Sequence, residues 1–337
     1  MKYKYMLLLL LCFGACKQNR AVDTSFYYWK TVYKSNKLEN ECLKHFQSKR
    51  LYTRIMDVDL TYDLNPVPIA PISFADNLAD SLEIVPVVFI VNEVLKDQSA
   101  QKIKQLAAKI TKFVNAKIQQ GGKTDFKELQ IDCDWTDTTR DHYFELLKEI
   151  AALNVGKILS ATLRLHQLKN QIKSGVPPVD KVLLMCYNMG NLRKFGNQNS
   201  ILDVQELKKY VNQNLAHYPM TVDIALPIFS WAVSFRYHNY QGISKRIKLS
   251  DLQNTNLFVQ EKDGLYTAKI DLPDFGLYRN DRIRYEESKI EDIKELAKYL
   301  SENLPRKPLN LIFYHLDEQL LKQYKLNELE EIAAILR

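Results

Sequence analysis

Two aspartates two positions apart, Asp132 and Asp134, end the apolar run Leu129-Gln130-Ile131, and Trp135 follows at once. In an extended chain residues i and i+2 share a face, so both carboxylates project the same way, about 6–7 Å apart along the strand. Where that face is poorly solvated, burial and like-charge proximity raise at least one of the two pKa values. A carboxylic acid then survives at neutral pH. Such an acid is what general acid–base chemistry requires. Cys133 points the other way. The competing reading has Asp132 satisfied by neighbouring strands, with Asp137, Thr138 and Thr139 capping the next helix.

Whether the pair works depends on the elements that carry it. Strands are expected at 26–32, 51–59, 84–91, 129–135, 157–163, 182–188, 222–229 and 309–315, several as near-continuous apolar runs of the kind that parallel strands covered on both faces require. Helical spacing is clearest at 100–119, 138–153, 203–212, 291–303 and 327–336. Eight strand–helix alternations predict a closed (β/α)8 barrel of the TIM type. An open doubly wound sheet is the alternative, but no glycine-rich turn follows the first strand. A long interruption at 232–288 holds Asp263-Gly264 between two alternating runs, which predicts a small β-rich insertion between strands seven and eight.

In such barrels the site forms at the carboxyl ends of the strands. Those ends collect Trp29, Asp57, Asp59, Asn92, Glu93, Asp132, Asp134, Trp135, Arg164, Tyr187, Asn188, Ser230, Trp231, His315 and Asp317. Carboxylates and amides bond hydroxyls while indole and phenol faces stack on sugar rings, so the mixture suits a carbohydrate. Asp134, Asp132 and Tyr187 are the catalytic candidates. Trp29, Asp59, Glu93, Trp135, Arg164, Asn188 and Trp231 are the sugar-binding candidates, with Trp231 as a platform and Glu93 as the next acid after Asp134. A metal-dependent hydrolase built on Asp57, Asp59, Asp132, Asp134 and His315 lacks a closely spaced His pair, so neither metal nor cofactor is expected.

The N-terminus sets the compartment. Lys2 and Lys4 precede an apolar run at 6–14, and small residues Gly14 and Ala15 precede Cys16. This resembles a bacterial lipoprotein signal, with Phe13 where leucine is usual. It implies cleavage after residue 15, lipidation of Cys16, a tether at 16–25, a barrel domain at 26–337 and residence in the cell envelope. The membrane is then a partner through that anchor. The 47 basic and 40 acidic residues are thinly spread, which argues against nucleic acid. Beyond the signal, Cys42, Cys133 and Cys186 form no CxxC pair and read as buried thiols rather than a disulfide or zinc framework. A monomer is expected.

The residues from Leu129 to Thr136 are similar to the fourth-strand signature of family 18 glycoside hydrolases, D-G-I-D-I-D-W-E. Aligned on D-x-D-W, Asp132, Asp134 and Trp135 match, the family's catalytic acid falls on Thr136, and its first aspartate falls on Leu129. Met185 to Asn188 resembles that family's M-x-Y-D, with Asn188 in place of aspartate. A closer resemblance is to the uncharacterised bacterial domain of unknown function 3142 family, carried by residues 130–134, Tyr143, 159–163 and 183–190 at preserved spacing. These resemblances imply a hydrolase-related barrel acting on or binding an oligosaccharide. Positioned acid catalysis contributes about 10²–10⁴ in rate, and a threonine hydroxyl cannot supply it. Another carboxylate must take the role, or the protein is a catalytically silent glycan-binding or envelope scaffold lipoprotein.

Overall fold

The structure, a computed structural model, describes residues 20–244 and 246–337, so the expected signal segment and Cys16 lie outside the described residues. The chain folds as β1 (Val22–Tyr28), α1 (Lys37–His45), β2 (Arg50–Leu60), β3 (Glu83–Ile90), α2 (Ala100–Gln120), β4 (Glu128–Cys133) and α3 (Arg140–Leu153). There follow β5 (Ile158–Leu163), α4 (Leu165–Lys169), β6 (Lys181–Met185), α5 (Val204–Ala216), β7 (Thr221–Pro227), α6 (Ile290–Asn303), β8 (Leu309–Tyr314) and α7 (Leu326–Ile335). All eight strands pair in parallel, and β1 meets both β8 and β2, which closes the barrel.

Three expectations shift. First, β1 starts at Val22, because Val22 to Phe26 pair with Leu309 to Phe313 of β8, so the last residues of the expected tether are sheet. The polar Asp23, Thr24 and Ser25 hid this. Second, no helix joins β2 to β3. The end of β2 folds back antiparallel onto Pro66–Ile69, two prolines keeping that short strand at the sheet's edge. Third, α5 runs past residue 212, with a break at Asn212, whose φ is 27°. Ser99 caps α2 by accepting from the Lys102 amide, and Gly122 takes φ +79° just after that helix, against Asn77.

Between β7 and α6 a five-stranded antiparallel sheet rises from the barrel. Its strands run Asn239–Ser244, Ser230–Arg236, Arg282–Glu287, Leu265–Ala268 and Phe258–Lys262 in spatial order, and Asp263-Gly264 forms the turn of the last hairpin. It buries a separate apolar cluster that includes Ile247, Leu252, Phe258 and Ile283.

The barrel interior is polar at its amino end. In β4 the alternation sends Leu129, Ile131 and Cys133 outward to the helices and Glu128, Gln130 and Asp132 inward. Glu128 accepts from Ser160 Oγ at 2.7 Å and pairs with Lys181 Nζ at 2.8 Å; the same ammonium lies 2.9 Å from Asp223. Tyr52 receives a hydrogen bond from Asn310 Nδ2 (3.1 Å), and Ser25 donates to Asn310 Oδ1 (2.8 Å). Strands β1, β2, β4, β5, β6, β7 and β8 thus share one hydrogen-bonded layer that fixes the register of the layers above it.

Candidate functional site

One layer up, Tyr27 donates to Gln130 Oε1. Above it lies Asp132, 8 % exposed, accepting a 2.7 Å hydrogen bond from Thr162 Oγ1 on β5. Burial first, and the charge of Asp134 second, push its carboxyl up to about 7, against the Thr162 hydrogen bond and the attraction of Arg164. The sequence expectation of one raised carboxyl is met at Asp132.

Asp134 plays a different part from the one expected. Its two oxygens take the Nε and Nη2 donors of Arg164, a bidentate pair between β4 and β5. Arg164 is held charged: burial works against it, and the hydrogen bonds and charge of Asp134 outweigh that. Both carboxylate oxygens are thereby engaged by the guanidinium. The proton donor expected at Asp134 is therefore corrected, the cause being a guanidinium that sequence spacing could not bring into contact.

Trp135, expected to bind sugar, is 1 % exposed and lies on the helix side of the sheet. It stacks on Tyr143 of α3 with ring centroids 4.9 Å apart, and its Nε1 donates to the Ser174 carbonyl. The alternation that turns Asp132 and Asp134 inward turns Trp135 out. Trp135→Phe is expected to cost about 1–3 kcal/mol, because the Ser174 carbonyl loses its buried partner, while ligand binding at the barrel mouth stays unchanged; denaturant titration beside a binding isotherm checks both.

Glu93 is likewise corrected. It sits exposed on the turn Asn92–Leu95, pairs with Lys96, and has its pKa lowered by backbone and Lys96 hydrogen bonds, the opposite of a proton donor's need. Asp59 accepts from the Leu60 amide on the β2 hairpin, where it lies opposite Val67. Asn188 is exposed just beyond β6 at φ +55°, with its amide bonded to Ile201 O. Thr136 and Thr139 build the turn before α3, Thr139 Oγ1 accepting from the Thr136 amide at 3.0 Å. Thr139 is the N-cap residue of α3 but makes no side-chain cap hydrogen bond, so the capping expected of Asp137, Thr138 and Thr139 is not seen.

Tyr187 does belong to the centre. It is buried against Tyr314 at 5.0 Å between ring centroids and against Phe229 at 6.1 Å. Burial first, then Tyr314 and Asp132, push its phenol up, so it remains a neutral donor. Tyr314 also packs on Tyr27 and Trp29, making one aromatic floor from β1, β6 and β8. That floor leads into a cavity of about 780 Å³ between the barrel and the insertion. Trp29, Phe229, Trp231 and Tyr314 are among its aromatic walls, and Lys30, Lys248, Glu287, His315 and Asp317 among its polar ones. Asp132, Asp134 and Arg164 are not among the walls, nor is Tyr187, which packs on the wall residues Tyr314 and Phe229. Burial raises the Glu287 carboxyl.

Trp231 is fixed from behind. Its Nε1 donates to Glu286 Oε2 at 3.1 Å, and the same oxygen accepts from Ser200 N and Oγ. The buried Arg284 donates to the other oxygen of Glu286 and to the carbonyls of Leu192 and Lys194. Tyr27, Thr162 and Tyr314 escaped sequence reasoning. Tyr27 and Thr162 were legible in principle, each two residues before a residue already placed at the mouth. Glu286 and Glu287 were not, since only the fold of the insertion turns them inward.

Among the described residues no group of three or more His, Cys, Asp or Glu could hold a metal ion, and no helix is long and apolar enough to cross a membrane. Cys42, Cys133 and Cys186 are buried free thiols, each pushed up by burial.

With this geometry in hand, solved structures give a consistent comparison. The spore cortex-lytic enzyme SleL of Bacillus cereus superposes with a TM-score of 0.52 at 12% identity, over 94% of this chain and 75% of that one. A chitinase from Chromobacterium violaceum gives 0.51 at 11% identity, over 94% and 99%. The fold is that of the chitinase-like family 18 barrels. No protein-family model and no curated protein matches the chain, so the resemblance to the domain of unknown function 3142 family rests on its residue blocks alone.

Proposed function

We propose that this chain is an exported, lipid-tethered glycan-binding barrel that holds an oligosaccharide between the aromatic floor and the insertion without cleaving it by the family 18 route. The observation that carries this reading is the pairing of Asp134 with Arg164: the place of the usual acid holds the Thr136 hydroxyl, and the carboxylate expected to stand in for it is tied up in an ion pair. The aromatic cavity and the chitinase-like fold support a polymer of β-linked amino sugars as the ligand class. Export and the anchor rest on the lipoprotein-like signal ending at Cys16. The blocks at 130–134, 159–163 and 183–190 make the chain a candidate member of the domain of unknown function 3142 family.

Calorimetry with chitin oligosaccharides and peptidoglycan fragments is expected to show saturable binding without release of reducing ends. Trp231→Ala should weaken it about 10-fold or more, the loss of one aromatic anchor. A hydrolase reading keeps one observation in its favour, the Asp132 carboxyl at about 7, half-protonated at neutral pH. Reducing-sugar release by the unvaried protein that Asp132→Asn abolishes would establish that reading instead.

A further inference from the structure

We propose that the amino-terminal pole of the barrel, opposite the sugar cavity, carries a site for a phosphate-class oxyanion built around Arg20. Arg20 is 4 % exposed, and its amide donates to a main-chain oxygen of Arg337. Its Nη2 donates to Ser301 O (3.0 Å) and Leu304 O (3.3 Å), at the end of α6. Nε and Nη1 have no hydrogen-bond partner among the described residues, and the charge that perturbs the guanidinium is another cation, Arg306. A cavity of about 250 Å³ opens beside it at the starts of β7 and β8. Tyr218, whose hydroxyl is also buried without a partner, and Lys307 share its walls; no carboxylate does.

A buried charge left uncompensated is costly, and so is each orphan donor. The unpaired guanidinium groups are donors on a cation and the Tyr218 hydroxyl can donate as well, so an anion with acceptor oxygens complements them. A phosphate monoester or diester meets that description, and guanidinium–phosphate pairing is strong in a desolvated site. A water occupies about 30 Å³ in the liquid, so the cavity has room for such a group with solvent. Two sources offer it. Arg20 lies four residues after Cys16, a span of at most about 14 Å, so a lipid on Cys16 would bring phosphodiester headgroups to this pole; free phosphate is the other.

The test uses the full chain with Cys16→Ser, which carries no lipid of its own. Sodium phosphate at about ten times its Kd should raise Tm by roughly 2–4 °C over sodium chloride at matched ionic strength. Arg20→Gln should abolish the rise and Tyr218→Phe reduce it. Vesicles of phosphatidylglycerol, but not of phosphatidylcholine, should retain the chain in an Arg20-dependent way if the source is a headgroup. A response to phosphate alone supports the site with the free anion as its occupant, and vesicle retention alone supports it with the lipid. An equal rise in Arg20→Gln overturns the proposal. So does the absence of both a phosphate-specific rise and Arg20-dependent vesicle binding. Should Arg20→Gln fail to fold, Tyr218→Phe, which removes only the second donor, takes its place in every comparison.

Discussion

Lys181→Met is expected to destabilise the fold by about 3–5 kcal/mol, the range for removing one partner of a buried ion pair. One ammonium serves two buried carboxylates here, Glu128 at 2.8 Å and Asp223 at 2.9 Å. Lys181 holds its proton strongly: burial works against the charge, while Tyr52, Asp223 and Glu128 outweigh it. Methionine preserves the stem and its packing but leaves two anions facing each other inside the barrel. Neutralising them together, with Glu128→Gln and Asp223→Asn added to Lys181→Met, should recover most of the loss, because the amides still accept from Ser160 and the Asn310 amide. Urea unfolding of the single and triple variants measures both. A Lys181→Met chain as stable as the parent would show that the layer is solvated and contributes little.

That layer also marks the boundary between what was legible in sequence and what was not. Apolar β-branched runs such as 84–91 and 309–315 announced their strands because both faces of a parallel barrel strand are covered. Period-two alternation then assigned Asp132 inward and Cys133 outward correctly. The same rule placed Trp135 outward, against its expected role in binding. What no local pattern carries is partnership across strands. Arg164 meets Asp134, Thr162 meets Asp132, and Lys181 meets Glu128 only after the barrel closes. Readings that depend on protonation were therefore the ones to change: Asp134 is engaged by Arg164, the raised carboxyl is Asp132, and Glu93 is a surface ion pair. The insertion was readable from its Asp263-Gly264 turn, but its contribution to the cavity, through Tyr285 and Glu287, follows from a sheet order that a single sequence does not display.

The arrangement around Asp132 is costly to the fold, and that cost has a measurable pH signature. Its folded carboxyl titrates at about 7 against an ordinary value of 3.8. Between those limits the folded chain retains a proton that the unfolded chain has released. Stability is therefore present below pH about 4 and is lost progressively as pH rises to about 7. Three pKa units correspond to about 4 kcal/mol at most. Asp132→Asn cannot ionise, yet its side-chain oxygen still accepts from Thr162. The variant is expected to match the parent near pH 4 and to exceed it by about 2–4 kcal/mol at pH 8, with the Asp132 slope absent between. Urea unfolding of both chains at unit steps from pH 4 to 8 decides the matter, and parallel curves would mean that Asp132 is better solvated than its 8 % exposure indicates. A neighbouring charge supplies part of the effect, so Asp134→Asn should lower the Asp132 value and flatten the same slope in part, although it also frees Arg164. If the proposed sugar site extends to Asp132, that carboxyl's charge bears on the ligand. The sugar isotherm of the parent should then change across pH 6–8 while that of Asp132→Asn stays flat.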